Sequence, residues 1–337
     1  MMRCPLCRIP AFRRLRSRLA RIFALGLLAL LVHGCDQPTA PAGEAGDPVS
    51  PTALAPAGLV TPINSRIVFL SYVNEESDLY TIAPNGGGLT RLTSWSGSEW
   101  EPTWSWDHKQ LGMVRPRLGP DNVMHADIFL MNADGSNKHW ARKALPSYEM
   151  FEHSWSPDGK RLVVTVRFSN SGDDLWLATL KLGTDSVQYV APKGVVRIHG
   201  RQASWDPSGT SIIYLDNLGT EVHRLVPGGT DVVLLKSDWQ IRDAALSPDG
   251  KRLAYTRLAT NTNPEIYLLD LASKTSKRLT VHGAQDLHVS WSPDGTRLAF
   301  LSNRSGRYQV WSMNASTGGG LTQVTHVEDA EEPVWAH

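Results

Sequence analysis

Cysteine is almost missing from this sequence, with three residues in 337. Two of them, Cys4 and Cys7, share a CxxC spacing, but no second pair exists to complete a zinc site. Only Cys35 lies beyond them, so the rest of the chain can form no intrachain disulfide. Long apolar runs are also missing. The run Ile22–Val32 has eleven residues, whereas a bilayer core needs about 20. Acid is absent from residues 1–34, which carry seven arginines. The sequence contains no GxSxG elbow, no HExxH and no phosphate-cradling GxxxxGK(S/T). Its eleven histidines are scattered, and no pair has metal-ligand spacing. These absences exclude a disulfide scaffold and leave the familiar hydrolase and nucleotide-binding motifs without support.

What the first sixty residues do contain is an export pattern, a basic stretch followed by a short apolar one. The apolar stretch ends in Leu31-Val32-His33-Gly34-Cys35, which resembles the bacterial lipobox, although His33 departs from the usual residue at its place. The resemblance implies cleavage before Cys35, lipidation of its thiol and a signal peptide spanning residues 1–34. A plain signal peptide cut nearby, or an uncleaved anchor, is the alternative. Without residues 1–34 the chain holds 27 basic and 33 acidic residues, a net charge of −6. That balance argues against a nucleic-acid partner. Residues 35–60 are rich in Pro, Ala and Gly with no helix or strand period, so they read as an extended tether. Asp36 resembles the enterobacterial signal for inner-membrane retention, a rule that varies between bacteria, so the choice of membrane stays open.

From residue 61 to the end at residue 337 the chain repeats itself, and the repeat sets the fold. Trp155-SPDGKRLVV, Leu246-SPDGKRLAY and Trp291-SPDGTRLAF are nearly verbatim copies, and Trp104-SWDHKQLGM and Trp205-DPSGTSIIY are looser ones. The anchors at 104, 155, 205, 246 and 291 lie 51, 50, 41 and 45 residues apart, and a half-copy, Glu332-Pro333-Val334-Trp335, follows 44 residues later. Each copy reads as four short strands. An inner strand ends at the anchor, Ser-Pro-Asp-Gly turns tightly, and three further strands follow. Residues 65–93 supply the last three strands of one blade but lack its first, and Glu331–Trp335 is a first strand with nothing after it. Pairing the two chain ends gives six blades in an all-β, closed six-bladed propeller without open edges.

These residues resemble the WD40-like PD40 repeats of TolB-type propellers over roughly residues 62–337, most closely in the copy starting at Trp291. The resemblance implies a periplasmic protein that binds envelope partners. TolB-type proteins carry an α/β domain before the propeller, where this sequence shows only the tether, and they lack a lipidation signal. The partner itself therefore cannot be carried over.

The twelve tryptophans invite a carbohydrate reading, but five of them (Trp104, Trp155, Trp205, Trp291, Trp335) occupy the repeat anchor, where Leu246 is accepted in the sixth copy. That is a packing position. Trp95, Trp100 and Trp239 fall in connecting segments and are the candidates for an exposed aromatic surface. Three residues before each anchor stand Glu101, Glu152, Gln202, Asp243, His288 and Glu332. Strand alternation points one repeat position the same way in every blade, so these six should ring one mouth of the channel. Glu101, Glu152, Asp243 and Glu332 then make a candidate calcium or cationic-ligand site, against the plainer expectation that they bond backbone amides and water. Loops at the same mouth carry Arg115, Arg117, Arg167, Arg257, Arg304 and Arg307, and the stretch from Arg115 to Ala126 has the composition of a contact loop. His153 and His199 are the histidines expected near the mouth. The expected function is a monomeric, lipid-anchored, periplasm-facing binding module for an envelope protein or peptide, non-catalytic. The alternatives are a metal- or small-ligand sensor and an enzyme resembling oligogalacturonate lyases. Those lyases use channel-mouth histidines with a metal, whereas the ring here has one histidine among acids.

Overall fold

In the computed structural model, residues 65–336 are described except for 74–75, 96, 120–121, 144–147, 169–174 and 259–261. The expected signal peptide, Cys35 and the tether lie outside the described residues. Residues 60–119 and 125–337 form one compact unit. Its described strands, numbered β1–β24 in chain order, make six four-stranded sheets.

The inner strands are β4 (Trp100–Trp104), β8 (Tyr148–Trp155), β12 (Arg201–Trp205), β16 (Ile241–Leu246), β20 (Asp286–Trp291) and β24 (Ala330–Trp335). Each ends on the anchor residue, as the repeat predicts. Blade 1 joins the two chain ends. Its sheet runs β24, β1 (Ile67–Val73), β2 (Glu76–Ile82) and β3 (Thr90–Arg91), with Ile67 opposite Trp335 and Ser71 opposite Ala330. Blades 2 to 6 follow in chain order from β4, β8, β12, β16 and β20. The fold is therefore the all-β six-bladed propeller, closed by the C-terminal strand.

The core sits between blades and forms six clusters, one for each neighbouring pair. At the closure, Ala299, Leu301 and Val310 of blade 6 pack on Ile67, Phe69 and Trp335 of blade 1. All five anchor tryptophans are buried, and the indole N–H of Trp291 reaches across a blade boundary, donating to Ala245 O at 2.9 Å. Trp335 Nε1 donates within blade 1, to Ser65 O at 3.0 Å. Arginines that follow the Ser-Pro-Asp-Gly turns stack on the next blade's anchor, Arg161 over Trp205 and Arg252 over Trp291, each at 4.8 Å. The packing reading of the anchor position holds.

The turn residues explain their own recurrence. Ser156 Oγ donates to Asp158 Oδ1, and that carboxylate accepts Lys160 N at 3.0 Å. Ser156 Oγ in turn accepts Arg161 N at 3.0 Å, while Gly159 takes φ 66°. The same knot recurs at Ser247/Asp249 and Ser292/Asp294. In blade 2 His108 stands in the glycine's place and still adopts φ 57°, a conformation that costs a side-chain-bearing residue about 1–2 kcal/mol.

A second device ties outer strands to inner ones. A polar residue opening the third strand bonds a residue near the fourth strand: Asp78 with Thr93, Asp127 with Arg142, Glu221 with Lys236, Glu265 with Thr280, and Gln309 with Thr325. The partners are 15 or 16 residues apart. In blades 1, 5 and 6 the threonine hydroxyl also accepts the next backbone N–H, from Leu79, Ile266 and Val310. Because a buried unpaired carboxylate is expensive, these pairs hold the short outer strands in register.

Candidate functional site

Six residues at one repeat position converge on the propeller axis, and a break in strand regularity brings them there. In every blade the pairing of the inner strand with its neighbour shifts register just at this point, between Trp100 and Thr103, Met150 and His153, Arg201 and Ser204, Ile241 and Asp243, Leu287 and Ser290, and opposite Val68/Leu70 in blade 1. Such bulges re-aim side chains. Glu101, Gln202, His288 and Glu332 also take φ of 54°, 50°, 53° and 50°, in the left-handed region that glycine favours. Simple alternation leaves out these bulges, which re-aim the six side chains.

Glu101, Glu152, Gln202, Asp243, His288 and Glu332 all line one central cavity of 210 Å³, which continues past the inner strands to Trp106, Pro207 and Pro248 near the turns. The ring thus closes one end of the cavity. The carboxylates are turned sideways into the frame. Glu332 Oε2 accepts Glu101 N at 2.5 Å, and Glu152 Oε2 accepts Gln202 N at 2.5 Å and Thr165 Oγ1 at 2.8 Å. Asp243 accepts His288 N at 3.0 Å, Val289 N at 3.1 Å and Thr256 Oγ1 at 2.8 Å. Three of the four acids, Glu332, Glu152 and Asp243, grip the strained residue of the next blade, so blades 1 and 2, 3 and 4, and 5 and 6 are latched in pairs.

Burial controls the charge state of this ring. It pushes the Glu101 carboxyl well up, reinforced by Glu332 and Glu152. It raises Glu152 against the pull of the Gln202 amide, Thr165 and Arg201. Glu332 is pushed up to about 8 by burial first and then by Glu331 and Glu152, with the Glu101 amide acting the other way. Among the described residues no three acidic, histidine or cysteine side chains are grouped to hold a metal ion, and three of the four ring carboxylates, those of Glu332, Glu152 and Asp243, are engaged by backbone amides.

The arginines expected in loops are mostly strand residues with partners. Arg115 and Arg117 lie in β5 (Gln110–Leu118), Arg167 in β9 (Arg161–Phe168) and Arg257 in β17 (Arg252–Leu258). Arg115 Nε sits 3.2 Å from Glu99 and stacks on Trp95 at 3.9 Å. Arg117 meets Asp127 at 3.0 Å, Arg167 meets Glu149 at 2.5 Å, and Arg257 stacks on Tyr267 at 4.4 Å. Arg304, in the connection after β21 (Arg297–Ser302), holds Asp286 at 2.8 Å, while exposed Arg307 lies 3.8 Å from Glu328. The contact loop expected from Arg115 to Ala126 is correspondingly short, since β5 reaches Leu118 and β6 (Met124–Asn132) starts at Met124.

His153 lines the same cavity next to Glu152, but its side chain is buried. Its Nε2 lies 2.7 Å from Thr103 Oγ1 of blade 2, and burial pushes the imidazole down to about 3, so it is neutral. Gly112 makes the space, because a Cβ there would stand 2.3 Å from His153 Nε2. His199 is exposed, with its ring centroid 3.6 Å from that of Trp176. Of the three connecting tryptophans, Trp239 is exposed, whereas Trp95 and Trp100 pack against the cluster between blades 1 and 2.

Residues 233–337 match the family model described as the TolB beta propeller domain. An uncharacterized protein of Agrobacterium fabrum is 28% identical over 220 residues, covering 63% of this chain and 70% of that protein. A TolB homolog of Chlorobium luteolum is 24% identical over 245 residues, covering 60% of this chain and 52% of the homolog, so the match spans about half of that relative. Among solved structures, TolB from Acinetobacter baumannii superposes with a TM-score of 0.66 at 19% identity, covering 81% of this chain and 66% of that one. Together with the repeat, the six sheets and the closure through β24, these likenesses show a six-bladed β-propeller similar to that of TolB, with the PD40 family match lying over residues 233–337.

Proposed function

We propose that this protein is an exported, lipid-anchored propeller that docks a protein or peptide segment of the cell envelope at the ring-bearing mouth of its channel, without catalysis. The observation that carries the reading is the strain at that mouth. Four side-chain-bearing residues hold left-handed backbone at one repeat position, at about 1–2 kcal/mol each. Strain of this kind collects at binding and active sites. The repeat position does not by itself impose it, since Glu152 and Asp243 occupy the same position without positive φ. The lipobox at Cys35 supports anchoring, and the tether over residues 35–60 would give the mouth reach from the membrane.

The test is photocrosslinking in the native envelope. A photoreactive residue in place of Trp239, beside the mouth, is expected to capture one identifiable envelope protein. The same residue in place of exposed Lys251, in a turn at the opposite end of its blade, is expected to capture none. Equal capture from both positions, or none from Trp239, would overturn the reading.

A further inference from the structure

We infer that blades 4 and 5 carry, at this mouth, a subsite for a carboxylate next to an apolar side chain, and hence that the docked segment is an acidic peptide. The inference rests on the docking reading above and specifies its ligand.

The residue preceding each ring position is Trp100, Phe151, Arg201, Arg242, Leu287 or Glu331. Two arginines therefore occupy equivalent places in neighbouring blades 4 and 5. They are close enough to act on each other, since burial and then Arg201 lower the Arg242 guanidinium, with Asp243 opposing. Arg201 is half-buried, and its Nε and Nη2 are shielded from solvent without an acceptor. A shielded donor left unpaired costs about 1–3 kcal/mol.

The carboxylates nearest in sequence and charge cannot easily answer it. Glu152, which feels Arg201, already accepts Gln202 N and Thr165 Oγ1. Asp243 already accepts two backbone amides and Thr256 Oγ1. An incoming carboxylate is the group whose charge and geometry match a guanidinium edge.

The surroundings select more than charge. Arg201 Nη2 lies over the turn at Gly219, where a Cβ would come within 2.3 Å of it and within 3.3 Å of Gln240 Cγ. Ile241 N donates to Gly219 O at 2.7 Å, which fixes that turn against the strand entering blade 5. Gly219 follows Leu218, which is 75% exposed, and Gln240 follows Trp239, 41% exposed. Two large exposed apolar side chains thus adjoin in sequence the residues packed against a guanidinium with unpaired donors. In a chain otherwise rich in ion pairs, this combination fits an acidic residue flanked by a leucine- or phenylalanine-sized neighbour.

The probes are three peptides: Ac-Phe-Leu-Glu-NH2, its Gln analogue, and Ac-Phe-Leu-Ala with a free C-terminal carboxylate. Each is titrated calorimetrically into the mature protein. The Glu peptide is expected to bind at least tenfold more tightly than the Gln peptide. Arg201→Gln should reduce the Glu peptide to the level of the Gln peptide, and Leu218→Ser should weaken both by a similar factor. Tight binding of the third peptide alone would identify the chain terminus, rather than a side chain, as the source of the same carboxylate. Equal affinity for the Glu, Gln and free-carboxylate peptides, or no binding by any of the three, overturns the subsite, and this comparison needs no variant to fold. Capture from Trp239 with indifferent peptides would leave docking standing and remove the subsite. Charge selectivity without capture would do the reverse.

Discussion

Raising the pH from 6.5 to 8 should destabilise this protein, and the ring acids set the size of the effect. Glu101, Glu152 and Glu332 all hold protons more tightly in the folded ring than in an unfolded chain, Glu332 up to about 8, and buried Glu99 up to about 7. A carboxyl with a raised folded-state value stabilises fully below its unfolded value, near 4.5, and loses that contribution as pH rises through the folded value. Each proton kept by the native state and released by the unfolded chain costs about 1.4 kcal/mol per pH unit. His153 acts in the opposite sense, because its folded value near 3 lies below the unfolded one. It therefore lowers stability as pH falls through about 6.5. At pH 6.5 the unfolded imidazole is still about half protonated, so over the chosen window it offsets the fall by only about 0.4 kcal/mol. With about one net proton retained, stability should fall by about 1–2 kcal/mol between pH 6.5 and 8. Urea unfolding followed by tryptophan fluorescence measures it directly. Glu332→Gln keeps an acceptor for the Glu101 amide but removes the titration, so its curve should be flatter. Wild-type stability that is level or rising over this range, or an unchanged slope in Glu332→Gln, would refute the reasoning.

Two further predictions concern backbone and packing. Gly112→Ala places a methyl group against His153 Nε2 and should cost about 1–3 kcal/mol, as overpacking does, read as a lower urea midpoint. His108→Gly restores the glycine of the other turns and relieves φ 57°. It should raise stability by about 0.5–1 kcal/mol after the entropy of the added glycine is counted, seen as a higher melting temperature.

The propeller was legible because its punctuation repeats. Ser-Pro-Asp-Gly after a buried anchor marks the end of each inner strand, and the missing first strand at one chain end matched the spare strand at the other. The ring residues were legible by counting back three from the anchor. Their bulges were not, because Glu and Gln carry no signal for left-handed backbone and His288 alone carries only a weak one. The arginines misled for a different reason. Guanidinium groups in turn-rich segments look like contact residues until their acids are located, and Glu99 beside Arg115 or Asp286 beside Arg304 depends on cross-strand placement. One signal was present and passed over. The polar pairs Asp78/Thr93, Glu221/Lys236 and Glu265/Thr280 recur at a spacing of 15, which is the length of the hairpin joining third and fourth strands.

The channel, its latched ring and the mouth beside Arg201 exist only if β24 completes blade 1. Hydrogen–deuterium exchange of the intact protein tests this at residues 330–335. Their amides should be protected as long as those of β1, because Trp335 N donates to Ser290 Oγ at 2.9 Å and the strand pairs with Ile67–Ser71. Exchange of 330–335 within seconds, while β1 stays protected, would contradict a closed ring.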